Sequence, residues 1–309
     1  MKHPLLSSLS ILFFSLIIVS PSSAFADATT TLPTETASTT LQSMGFNVAT
    51  PLLGVSAVVY DISSSTFIYE KNATEIRPMA SLVKIMTAQV ASDILKMQHK
   101  LTKTIKLSNK TTETKVDRTL NVGELWDFND LLHFMLLTSA NTAADSIANG
   151  IIPSPSFISL MNFKAKNLSF LNMKFFNASG LPRVLPDGKE LPGSYATAKE
   201  VALLMAETYK NYPEILDQTA TYNASFVSTY RGKIIKRDAT STDPLLVDVP
   251  GIIGGKTGYT DIAGGNLAII MNTPLNHAVA IVVMGSTIDG RFSDVRALAS
   301  STIDFYSQK

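Results

Sequence analysis

Hydrophobic periodicity along this chain runs from two residues to about 3.6 and back to two, an order that few architectures accommodate. Gly54-Val55-Ser56-Ala57-Val58-Val59-Tyr60 is rich in β-formers, Asp61 to Ser65 has turn chemistry, and Thr66-Phe67-Ile68-Tyr69 resumes the strand pattern. The spacing predicts a hairpin. Helical spacing follows over Leu82 to Leu95 and then, within a mostly helical stretch from about Val122 to Tyr209, over Leu131 to Leu137, Ala143 to Ile147, Phe157 to Lys166 and Ala196 to Tyr209. Period two returns at Ala224 to Ser228, Lys233 to Ile235, Leu267 to Met271 and Ala278 to Val283, before a closing helix over Phe292 to Phe305. Strands at both ends with helices between imply one sheet built from distant parts of the chain, with an all-helical lobe inserted. The fold class is α/β in the broad sense, more strictly α+β.

The first residues have the grammar of a secretory signal: Lys2, an apolar run from Leu5 to Val19, then Ala24-Phe25-Ala26 with small residues flanking a cut. Residues 1–26 are read as a signal peptide, with retention as an N-terminal membrane anchor as the alternative. Both place the remainder outside the cytoplasm. Residues 27–50 begin Thr-rich, with almost nothing to bury, and are predicted as a disordered linker. Residues 51–309 form the remaining domain, with no internal repeat.

Composition removes whole classes of chemistry. The chain of 309 residues contains no cysteine, which excludes disulfides, thiol nucleophiles, thiolate zinc sites and iron–sulfur clusters. An exported chain of this kind is stable through its core alone, and 45% hydrophobic content supplies one. Lys and Arg total 26 against 25 Asp and Glu, so no charge excess points to nucleic acid. The four histidines, His3, His99, His133 and His277, form no metal-binding spacing. No metal or cofactor is expected, and His133, on an apolar helical face, reads as a core residue.

Three short motifs carry chemistry. Ser81-Leu82-Val83-Lys84 opens a helix, and i to i+3 spacing puts the hydroxyl and the amine on one face. A serine hydroxyl becomes a nucleophile when something takes its proton, and a lysine can do so if burial or a neighbouring cation lowers its pKa. The helix N-terminus and the Ser81 N–H can help hold an oxyanion. Alone the tetrapeptide is also the spelling of a capping serine and an exposed lysine. Ser139-Ala140-Asn141 between two helical segments, and Lys256-Thr257-Gly258 just before the strand that starts near Gly264, change the balance, because the three occur in order and in suitable contexts.

On these motifs the chain resembles the penicillin-recognising serine hydrolases, and within them the low-molecular-weight penicillin-binding proteins that act as D-Ala-D-Ala carboxypeptidases. The likeness runs from about Gly54 to Phe305 and includes Arg77-Pro78-Met79-Ala80, Asn177-Ala178-Ser179-Gly180-Leu181, Tyr195 to Glu200 and Gly254 to Thr260. It implies the β-lactamase/DD-peptidase-like fold, an antiparallel sheet flanked by helices. It further implies that Ser81 attacks the D-Ala-D-Ala carbonyl of a peptidoglycan stem peptide, that Lys84 is the general base and that Ser139 relays a proton to the departing D-alanine. Asn141 would bind the peptide amide side, and Lys256 and Thr257 the terminal carboxylate. Gly258 would allow close approach to the substrate, and the N–H groups of Ser81 and Tyr259 would form the oxyanion hole. Arg291 falls where the family often places a basic residue near that carboxylate; a surface arginine capping the last helix is its other reading. β-Lactam antibiotics are implied as covalent inhibitors.

Departures from the family pattern leave alternatives open. Ser179 stands where many carboxypeptidases have histidine, which leaves endopeptidase action on cross-links as a rival. A β-lactamase would share the three motifs, but the Glu-x-x-Leu-Asn loop of the class that hydrolyses lactams with a glutamate-held water is absent. No Gly-x-Ser-x-Gly elbow supports a Ser-His-Asp hydrolase. A silent wall-binding or penicillin-sensing module on the same fold is the non-enzymatic reading.

Overall fold

Two-sided burial shapes the centre of the molecule. The computed structural model describes residues 40–42, 45–100, 103–108, 114–274 and 277–308; the expected signal peptide and most of the expected linker lie outside them. The chain runs through β1 (Thr40–Gln42), β2 (Ser56–Asp61), β3 (Thr66–Lys71), α1 (Val83–Met97), β4 (Thr104–Lys106), α2 (Lys115–Thr119), β5 (Leu125–Asp127), α3 (Phe128–Thr138), α4 (Asn141–Ile151) and α5 (Ser154–Asn167). It continues through α6 (Ala198–Asn211), α7 (Pro213–Ala220), β6 (Asn223–Tyr230), β7 (Lys233–Thr240), β8 (Ile252–Thr260), β9 (Gly264–Asn272), β10 (Ala278–Ser286) and α8 (Gly290–Ser307).

Six strands form an antiparallel sheet in the order β1-β3-β2-β10-β9-β8, so strands from both ends of the chain meet where β2 pairs with β10, with Val58 opposite Val282. Successive side chains in a strand face opposite ways, and here both faces are covered. Val58, Val282 and Ile270 pack toward the helical lobe, while Val59, Ile281 and Ile269 pack toward Val295, Leu298 and Phe305 of α8. This explains the near-continuous apolar spelling of β9 and β10.

Several expectations are corrected. Lys256-Thr257-Gly258 does precede the strand that starts at Gly264, but it also lies within a strand of its own, β8, which pairs with β9 from Ile252 to Thr260. Gly254, Gly255 and Gly258 lower the strand propensity of that segment, and the pairing overrides them. The strands near 224 and 235 do not join the main sheet: β6 and β7 pair as a hairpin and, with β5 and β4, make a separate sheet in the order β7-β6-β5-β4. The helical stretch from Val122 is interrupted by β5 and, between α5 and α6, by short strands including Arg183–Val184 and Glu190–Leu191. Packed structure also starts before residue 51, because β1 pairs with β3 and the buried Phe46 ring stands 5.6 Å from those of Tyr69 and Phe305.

Candidate active site

Ser81 occupies a single 3-10 turn, Ala80–Leu82, that feeds directly into α1. The turn is held from three sides. The buried Asn266 amide on β9 donates to the carbonyls of Pro78 and Met79 at 2.9 and 3.1 Å and accepts from the Gly285 N–H at 2.8 Å. Gly258 on β8 comes so close that a Cβ there would stand 3.0 Å from Met79 O and 3.1 Å from the Ser81 N. Gly180, at φ +86°, leaves only 2.1 Å between such an atom and Ala80 O. Ala80 itself has φ +48°, a conformation non-glycine residues seldom adopt and one found at constrained sites.

Lys84 follows one turn later and is fully buried. Its Nζ donates to Ser81 Oγ at 2.8 Å, to Asn141 Oδ1 at 2.8 Å and to the Ser179 carbonyl at 2.6 Å, so all three ammonium protons have acceptors. Burial nevertheless pulls its pKa down to about 7, against the opposing pull of Asp145 and Asp117. An amine at that point of its titration, in contact with a hydroxyl, can take a proton near neutral pH.

Asn141 begins α4, and its amide also donates to Asp117 Oδ2 at 3.2 Å. Asp117 is a buried carboxylate absent from the sequence expectations. It accepts the Thr142 N–H at 2.8 Å and is tied to the N-cap residue Thr114, whose hydroxyl donates to Oδ2 at 2.8 Å. The Thr114-x-x-Asp117 spacing is a capping signal that could have located the turn but not its partner. Ser139 ends α3 in the left-handed region, φ 60°, and lines the cleft with Ser81 and Asn141.

The opposite wall is β8. Lys256 is buried, with Nζ donating to the Thr257 carbonyl at 2.9 Å; burial, with Lys84 and Arg291 nearby, holds its pKa well below the usual lysine range. The Thr257 hydroxyl pairs with that of Thr242 at 2.5 Å. The Tyr259 ring points outward, its hydroxyl donating to Asp261 at 2.9 Å. Arg291, in the first turn of α8, turns back onto the strand and donates to the Gly258 carbonyl at 2.9 Å. Asp243, also unread from sequence, is buried beside this group, and burial raises its pKa to about 6 in spite of Lys256 and Arg291.

These walls enclose a cleft of about 650 Å³ lined by Ser81, Ser139, Asn141, Thr257, Gly258, Tyr259 and Arg291, with Lys84 and Lys256 directly beneath. Every residue expected in the site from the sequence is therefore brought to one place. His133 is elsewhere, edge-on to Phe226 with ring centroids 5.1 Å apart. Among the described residues there is no cluster of three or more His, Cys, Asp or Glu side chains able to hold a metal ion.

A family model for D-alanyl-D-alanine carboxypeptidases matches residues 48–287. The chain belongs to that family. The chain is similar to D-alanyl-D-alanine carboxypeptidase DacF of Bacillus subtilis, 28% identical over a region covering 81% of this chain and 62% of the relative. A D-alanyl-D-alanine endopeptidase of Escherichia coli is 30% identical over 74% of this chain and 70% of the relative. The chain thus spans under two thirds of the DacF length. A penicillin-binding protein of Listeria monocytogenes in its cefotaxime-bound form superposes with a TM-score of 0.69 at 27% identity, covering 82% of this chain and 98% of the other. The family match spans Ser81, Ser139 and Lys256 but ends before Arg291.

Proposed function

We propose that this chain is a serine-type D-alanyl-D-alanine carboxypeptidase acting on peptidoglycan stem peptides. The observation that carries the reading is the contact at 2.8 Å between the Lys84 amine and the Ser81 hydroxyl, with the amine brought to a pKa of about 7. Neutral Lys84 removes the Ser81 proton as Oγ bonds to the carbonyl carbon of the D-Ala-D-Ala link. The Ser81 and Tyr259 N–H groups receive the developing oxyanion. Collapse breaks the C–N bond, with Ser139 passing a proton to the departing D-alanine, and water then cleaves the ester to regenerate Ser81. Asn141 meets the amide side of the peptide. Lys256, Thr257 and Arg291 form the end of the cleft suited to the terminal carboxylate, since it gathers a guanidinium, a lysine amine and a hydroxyl as donors.

β-Lactams enter the same scheme as substrates that stay on Ser81. The signal-like residues 1–26 support an exported, extracytoplasmic enzyme, attached at its N-terminus if the segment is retained. No helix among the described residues is long and apolar enough to cross a membrane. Cross-link endopeptidase action is the second reading, favoured by the Escherichia coli relative and by Ser179.

The deciding experiment incubates the protein with a fluorescent penicillin and follows intact mass and peptide maps. A persistent adduct on Ser81 is expected. Fast turnover without adduct would replace the reading by a β-lactamase, and absence of reaction by a silent module. Comparison of a D-Ala-D-Ala pentapeptide with a cross-linked dimer then separates carboxypeptidase from endopeptidase action.

A further inference from the structure

One acidic side chain near Lys84 belongs to none of the motifs and does not line the cleft. Asp145 lies four residues after Asn141 on α4, hence on the same helix face as the amide that holds Lys84. It accepts a hydrogen bond from the side chain of the buried Ser179, the residue whose carbonyl takes the shortest of the three Lys84 bonds. The segment carrying Ser179 is also anchored to α1, where the Thr87 hydroxyl donates to Ala178 O at 2.8 Å, and Gly180 presses on Ala80. Asp145 is therefore the link from α4 to the segment that α1 and the Ser81 turn already grip. Asp117, the other acid nearby, is occupied by Asn141, Thr142 and Thr114. Asp145 forms no ion pair at contact distance among the described residues.

We propose that Asp145 is a positioning residue for acylation: it fixes Ser179 so that the Ser179 carbonyl holds Lys84, and it is the counter-charge that Lys84 faces across the contact between α1 and α4. The inference rests on Lys84 being the base for Ser81. The charged groups facing Asp145 are Lys84 from α1 and Asp117 from α2. Those acting on Lys84 are these two acids and, from β8, Lys256. A negative charge beside Lys84 favours its ammonium form, so removing that charge makes the free amine available at lower pH.

The test measures the second-order rate constant for labelling of the full chain by a fluorescent penicillin between about pH 5 and pH 9. Asp145→Asn and Asp145→Ala, neutral but different in shape, are expected to move the acidic limb of the profile down by about one pH unit. Ser179→Ala keeps the charge and loses the tether, and is expected to keep the limb while lowering the plateau by about 3-fold to 10-fold. A limb unmoved in both Asp145 variants, whatever their plateau, overturns the counter-charge; an unchanged plateau in Ser179→Ala overturns the tether. Failure of the underlying reading looks different: Lys84→Ala would then label at the rate of the parent protein with the same limb.

Discussion

A lysine works as a base near neutrality when its ammonium is disfavoured yet not stranded, and Lys84 meets both conditions through burial and three acceptors. Labelling by penicillin should accordingly rise as pH increases through about 7 and then level off, because the lowered pKa leaves the reactive amine present above that point and lost below it. Asp117→Asn is expected to loosen the Asn141 amide, lowering the labelling rate by about 10-fold and stability by about 1–3 kcal/mol, as measured by stopped-flow labelling and urea unfolding. Arg291→Ala should raise KM for a substrate with a free terminal carboxylate by about 10-fold with a smaller change in kcat; equal kinetics would return Arg291 to a surface role. Ser81 and Lys84 were legible because their geometry is local, three residues along one helix. Asp117, Asp145 and Asp243 were not, because a buried carboxylate takes its meaning from partners brought in by tertiary contacts.

Between elements, the narrow spaces are filled by backbone. Gly258→Ala puts a methyl about 3 Å from the Met79 carbonyl and the Ser81 nitrogen, so β8 must retreat from the Ser81 turn. The expected result is a loss of labelling of about 100-fold or more, because the Ser81 and Tyr259 N–H groups proposed as oxyanion donors stand on either side of that gap. Its stability cost should stay smaller than that of Ile281→Ala, which removes a fully buried side chain from the middle of the sheet and is expected to cost about 2–5 kcal/mol in urea unfolding. The same glycines explain why β8 was unreadable as a strand, whereas β2 and β3, with β-branched and aromatic residues around a turn, were read closely. α7 is not legible in the sequence because its eight residues begin at Pro213 and show too short a period to stand out.

For the molecule as a whole, the periodicity of the sequence carries the chief topological fact, that strands from both ends of the chain share a sheet with helices between them. It fails where one pattern serves two sheets: β6 and β7 spell strand as plainly as β9 does, and only their long partly exposed faces distinguish an outlying hairpin from a central strand. The Asn266 side chain gives that topology a kinetic meaning. It joins positions 188 residues apart, so the Ser81 turn is braced only after a very long loop has closed. Helices of the lobe can form from local contacts, and Ser81 and Lys84 can meet early on α1, while the wall that completes the cleft arrives with β8 and β9. During refolding from urea, penicillin capture should therefore return later than helical circular dichroism. A half-folded chain would own the reactive pair and still be unable to use it, which keeps the amine from attacking or activating anything until the last strands have docked.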